Sequence, residues 1–178
     1  MTNPVLTPAT EQTPAVQRVA EALAAAGHPH APVMLSDAAR TAQQAADALG
    51  VALGQIAKSI IFRRKNHPSG DDAAVLVITS GDRRVDEKKV QAIVCAEGGK
   101  LGRADAEFVK TKTGFSIGGV SPLAHATAPV TLIDRELLRF PVIWAAAGHP
   151  HGVFRLSPTE LQALTGAPVH DVTETTQP

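Results

Sequence analysis

The sequence predicts a mixed α/β domain built on one central sheet, and three observations carry that prediction. Apolar residues recur at helical spacing in segments at both flanks, β-branched and aliphatic runs of strand length fill the middle and the end, and glycine or proline marks the junctions between them. A chain of 178 residues is one ordinary domain with enough interior to fold without disulfides or metals. Residues 1–13 and 173–178, poor in apolar periodicity, are expected to be a disordered lead-in and tail around a folded domain at 14–172.

Val16, Val19, Ala20 and Leu23 make one face of a helix over Ala15–Ala26 that Gly27 stops. Val33–Leu35 reads as a short strand, and Thr41–Leu49 as a second helix closed by Gly50. Ile56–Arg64 and Ala73–Thr79 are strands, and the turn residues from Asn66 to Asp72 make them an exposed hairpin. Helical spacing returns over Val85–Glu97 through Val90, Ile93 and Val94, and a short helix over Ala104–Lys112 delivers the chain to a glycine-rich turn. Val130–Ile133, Val142–Ala146 and Val153–Leu156 read as strands. Ser157, Pro158 and Glu160 then open a last helix as N-cap, first-turn proline and capping-box partner.

Net charge is zero, which argues against strong nonspecific nucleic-acid binding. Its distribution is uneven: twelve of the seventeen lysines and arginines, against eight acidic residues, fall between Lys58 and Lys112. Such a segment is either a phosphate-facing side or a mixed charged surface. No apolar run approaches the roughly 20 residues that span a bilayer, and no secretory signal opens the chain, so the expected location is the cytoplasm. The single cysteine, Cys95, agrees with a reducing compartment and has no histidine near it in sequence to activate it.

Two features bear on chemistry. Lys58 interrupts the apolar run from Ile56 to Phe62, where its charge needs a partner, a substrate or a route to water. Downstream, Gly118 and Gly119 precede Val120, Ser121 and Pro122 in a turn where bare N–H groups can approach a carbonyl or phosphate oxygen. His28-Pro29-His30 and His149-Pro150-His151 suggest metal, but zinc wants three or four ligands and the prolines point to loops, so no metal or cofactor is expected. A Gly-x-Ser-x-Gly nucleophile elbow is absent.

Lys58-Ser59-Ile60-Ile61-Phe62, Gly114-Phe115-Ser116-Ile117-Gly118-Gly119-Val120-Ser121-Pro122 and Val142-Ile143-Trp144-Ala145-Ala146-Ala147-Gly148, in that order, resemble the YbaK and prolyl-tRNA synthetase editing-domain superfamily of aminoacyl-tRNA deacylases. The resemblance covers roughly residues 15 to 170. It implies a curved, barrel-like mixed sheet wrapped by helices. It also implies an ester hydrolase in which Lys58 and the Gly118 backbone are catalytic, and Gly119, Val120, Ser121, Pro122, His125, Ala147, Gly148 and His149 meet the substrate. Relatives carry glycine at the position of Ala124. With no room for a synthetase body, the expected function is trans-editing: removing alanine, 2-aminobutyrate, serine, cysteine or threonine from a tRNA for proline, with transient association with prolyl-tRNA synthetase. Arg63, Arg64, Lys65, Arg83, Arg84, Lys88 and Lys89 are the candidate tRNA-phosphate contacts. A noncatalytic tRNA-binding module and a subunit-interaction protein with an exposed apolar face are the alternatives.

Overall fold

Helix boundaries are fixed by side-chain caps and left-handed glycines. In the computed structural model, which describes residues 7–8, 13–36 and 39–175, helix α1 spans Pro14–Ala25 and begins where the Thr13 side chain accepts the Val16 N–H. Helix α2, Ala42–Leu49, opens with a Thr41–Gln44 capping box and closes on Gly50 at φ +69°. Asp86 and Asp105 cap α3 (Glu87–Val94) and α4 (Ala106–Thr113), and a Ser157–Glu160 capping box opens α5 (Pro158–Thr165). Each cap satisfies N–H groups that the first helical turn leaves without partners.

The strands are β1 (Thr7–Pro8), β2 (Val33–Met34), β3 (Ile56–Lys65), β4 (Ala73–Ser80), β5 (Lys100–Arg103), β6 (Val130–Asp134), β7 (Ile143–Ala146), β8 (Gly152–Leu156) and β9 (Val169–His170). They form one sheet in the order β1-β2-β8-β7-β3-β4-β6-β9, with β5 pairing β3. The expected hairpin is present, as β3 runs antiparallel to β4 from Ala57 to Arg64. Parallel pairings of β3 with β7, β4 with β6 and β6 with β9 make the sheet mixed. The expected mixed α/β domain is therefore the observed one, but the sheet is not closed. Its terminal strands, β1 and β9, are two residues each and do not pair with one another.

Side chains alternate across the sheet, and each face buries its own apolar set. One face packs Ala57, Leu76, Ile78, Ile133 and Phe154 against Val19 and Leu23 of α1, Val109 of α4 and Leu161 of α5. The opposite face packs Phe62, Val75, Val77 and Leu132 under Val90 and Val94 of α3. A third set lies under α2, where Ala45, Ala48 and Leu49 meet Trp144 and Val153.

Both chain ends carry pairings with the domain. Thr7–Pro8, inside the expected lead-in, pairs with Val33–Met34, while the rest of 1–12 lies outside the described residues. Thr173, assigned to the tail, is 4% exposed and bridges Val85. Residues 176–178 lie outside the described residues.

One detail of the sheet positions the site. β4 occupies one edge of β3, while β7 takes the other edge at Ile56 and Ala57 and β5 takes it again from Phe62 to Lys65. From Lys58 to Ile61 that second edge has no strand beside it among the described residues.

Candidate functional site

A cavity of about 330 Å³ opens at this gap. Its floor is Ile56 to Ile60 of β3. Its walls are Trp144 to Ala146 of β7, the start of α2 with Thr41, Ala42 and Ala45, and the turn at Ile117, Gly118 and Val120. The gap thus brings Lys58 and the glycine turn, sixty residues apart in sequence, onto one cavity.

Lys58 is half-buried, and its side chain makes no hydrogen bond or ion pair with the described residues. Burial depresses its pKa from the usual lysine value, while the carboxylates of Asp82 and Asp134 pull it back up. Asp134 is fully buried and accepts from the Thr79 hydroxyl and the Ser80 N–H, both at 3.0 Å. Asp82 is ion-paired with Arg139 at 2.7 Å, and that hydrogen bond, more than any other influence, holds its carboxyl below the ordinary range. Burial works against the ammonium's charge, and the two distant carboxylates offset part of that cost without pairing with it.

The glycine turn divides its labour. The Gly119 N–H donates to Ser116 O at 3.0 Å, and a Cβ at Gly119 would stand 2.9 Å from the His149 backbone. That glycine locks two turns together. Gly118 is exposed, has φ +90°, and would carry a Cβ no nearer than 3.8 Å to Pro150, so it is the conformation and not crowding that demands glycine there. The N–H groups of Gly118 and Val120 find no acceptor among the described residues, and both residues line the cavity. Ile117, 57% exposed, forms its lip.

The other expected substrate residues stand behind this wall. Ser121 is fully buried, its hydroxyl accepting the Leu123 N–H at 3.3 Å, and Pro122 is buried beside it. His125 lies 2.6 Å from the Ser121 carbonyl through Nε2 and edge-on to Phe115. A carbonyl only accepts, so Nε2 carries the proton. Burial, the largest influence, lowers the His125 pKa against the pull of the Ser121 carbonyl, and Arg18 lowers it further. Ala147 is buried in the core, and a Cβ on Gly148 would meet the Ala15 carbonyl at 2.8 Å. His149 Nδ1 accepts from the His151 N–H at 3.0 Å. None of these six lines the cavity, which touches that segment through Ala146, Pro150 and Gly152 instead.

The basic residues also divide. Arg63 pairs with Asp72 at 2.6 Å over the Phe108 ring, Arg64 donates to Val94 O, Arg83 pairs with Glu136 at 3.5 Å, and Lys89 with Asp171 at 3.1 Å. Lys65 and Lys88 are exposed, as is Arg84 beside Glu174. Arg84 and Lys88 border a larger, more open hollow of about 790 Å³ with Arg103, and that hollow shares Ile60 with the Lys58 cavity. We place the candidate site at the smaller cavity because Lys58, Gly118 and Val120 all line it. Sequence reasoning missed the wall from α2, since nothing in the residue type of Ala42 or Ala45 marks chemistry.

Residues 36–164 match the model of the aminoacyl-tRNA editing domain family. The chain belongs to that family. The uncharacterized protein YwhH of Bacillus subtilis (strain 168) is 34% identical over 125 residues, covering 70% of this chain and 74% of YwhH. A crystal structure proposed to be a trans-editing enzyme for prolyl tRNA synthetase superposes with a TM-score of 0.83 at 41% identity, covering 92% of this chain and 99% of that one. The proline–tRNA ligase of Thermoanaerobacter sp. (strain X514) is 26% identical over 98 residues, 55% of this chain but 16% of the ligase. This editing domain thus matches only a small part of the synthetase. No helix among the described residues is long and apolar enough to cross a membrane.

Proposed function

We propose that this editing domain is a trans-acting deacylase that hydrolyses the ester of a tRNA for proline carrying a small amino acid. The observation that carries the reading is one cavity holding an unpaired lysine and two unpaired N–H groups. An aminoacyl ester is already activated, so polarising its carbonyl and orienting a water suffice without a protein nucleophile. The Gly118 and Val120 N–H groups receive the carbonyl oxygen as it gains negative charge. Lys58 anchors the terminal nucleotide or supports the same oxyanion.

Size supplies the selectivity. Ala42 and Ala45 of α2 and Ala146 of β7 leave room for a side chain of one or two carbons, whereas the pyrrolidine ring of proline ties the amino nitrogen to a bulkier frame. The tRNA end enters along the hollow beside Lys88 and Arg103, whose exposed charges meet phosphates, while Arg63, Arg83, Arg84 and Lys89 sit in ion pairs. The shared cavity favours this reading over a noncatalytic binding module, which has no need for Lys58 and the turn to converge.

The test is hydrolysis of alanyl-, 2-aminobutyryl-, seryl-, cysteinyl- and prolyl-tRNA at fixed salt. Alanyl-tRNA is expected to be cleaved and prolyl-tRNA spared. No cleavage of any, or efficient cleavage of the prolyl species, overturns the assignment.

A further inference from the structure

Against the glycine turn lies a second chamber of about 190 Å³ that shares Ser59, Ile60, Ile117, Gly118 and Val120 with the lining of the main cavity. Ile61, Val109 and Ala104 make its remaining wall, and Ser59 carries the only polar side chain on it. The Ser59 Oγ is buried and has no hydrogen-bond partner among the described residues. A buried hydroxyl can donate one hydrogen bond and accept two, and leaving all of them unmade costs stability.

Main-chain groups meet it there. Successive strand residues aim their N–H and C=O at opposite edges, so two of the four residues from Lys58 to Ile61 present peptide groups to the strand-free edge. The chamber therefore gathers a hydroxyl, strand peptide groups and the exposed Gly118 beside the place where the ester carbonyl docks. Its volume admits a water, and its polar rim offers the two to four partners that an ordered water requires.

We infer that Ser59 is a further catalytic residue, whose hydroxyl holds the hydrolytic water in the chamber against the glycine turn. The inference rests on the deacylase reading above. The water oxygen bonds to the carbonyl carbon, the bond from that carbon to the ribose oxygen breaks, and the proton lost by the water ends on the released ribose hydroxyl. Ser59 orients and stays unmodified, since no imidazole or carboxylate lines the chamber to make it a nucleophile.

The experiment is steady-state deacylation by Ser59→Ala and Ser59→Thr against the panel of mischarged tRNAs, with melting temperatures measured in parallel. Ser59→Ala is expected to lower kcat about tenfold or more for every accepted amino acid while KM stays within about twofold and the melting temperature does not fall, because an unpartnered hydroxyl is what is removed. Ser59→Thr, which keeps the hydroxyl on a β-branched residue suited to a strand, is expected to recover most of the rate. Wild-type kcat in Ser59→Ala overturns the inference. So does a loss confined to hydroxyl-bearing amino acids, which makes Ser59 a side-chain reader, or a parallel loss of rate and stability that threonine does not restore, which makes it structural. A wild-type protein inactive on the whole panel defeats the deacylase reading itself and this inference with it; an active wild type with an unimpaired Ser59→Ala defeats this inference alone.

Discussion

The two halves of β3 use the same kinds of residue for opposite ends. From Phe62 to Arg64 the strand is paired on both edges, and its cations are occupied: Arg63 with Asp72 and the Phe108 ring, Arg64 with the Val94 carbonyl. From Lys58 to Ile61 one edge is open, and among the described residues Lys58 has neither a carboxylate at contact distance nor a carbonyl to bind. Both halves lie on one strand, and residue type alone does not distinguish them. What separates structural from functional charge is whether the surrounding fold has already supplied a counter-group.

The sharpest way to break this contrast is a pair of truncations. Lys58→Ala is expected to cost on the order of 1.5–3 kcal/mol of transition-state binding, roughly ten- to a hundredfold in deacylation kcat/KM, with an unchanged melting temperature. Arg63→Ala is expected to leave turnover within about twofold and to lose about 0.5 kcal/mol of stability, because its partly exposed pair is screened by solvent and salt. Equal losses of activity in the two variants erase the distinction.

Gly118→Val comes next. The valine meets little crowding but is forced to φ +90°, so a backbone shift that misdirects the N–H groups is expected, with roughly tenfold slower deacylation and about 1–2 kcal/mol less stability. Unaltered kinetics in a folded Gly118→Val protein removes the turn from the mechanism.

A subtler effect concerns pH. Burial lowers the Lys58 pKa, so the ammonium is fully present at low pH and is lost as pH rises through a value below that of a free lysine. After subtraction of spontaneous ester hydrolysis, kcat/KM is expected to fall on the alkaline side earlier than an exposed lysine dictates, and Asp82→Asn is expected to move that limb lower still. A limb that stays put in Asp82→Asn contradicts the long-range support. The smallest effect is expected at Ala124, which sits at φ +66°. Ala124→Gly should relieve that strain and raise stability by up to about 1 kcal/mol, read in denaturant midpoint.

What the sequence disclosed follows the range of the forces involved. Caps are local, so Gly50 and Ser157 with Glu160 were legible and stand where expected, while the Thr41–Gln44 capping box was read only as the start of a helix. The β3–β4 hairpin was legible because its turn chemistry lies between its strands. β5 was not: Lys-Leu-Gly-Arg has no strand-like alternation, and it becomes a strand by pairing with Phe62 to Lys65. β9 and the burial of Thr173 likewise depend on partners distant in sequence. Lys58 and Gly118 were visible as chemistry out of place, a charge in an apolar run and a glycine pair before proline. Ser59 was invisible, because a serine in a strand is unremarkable until its oxygen is buried with nothing to bind.

An unpaired strand edge ordinarily invites a second chain to add itself, which is how sheet proteins aggregate. Here the vacancy is internal and only four residues long, about 13 Å of strand, with β7 and β5 blocking either end and the turn at Gly118 against it. A foreign strand is too long and too wide to enter, while a water or the end of a nucleotide is not. The sheet thereby exposes main-chain hydrogen-bonding capacity to small molecules without becoming a template for polymerisation.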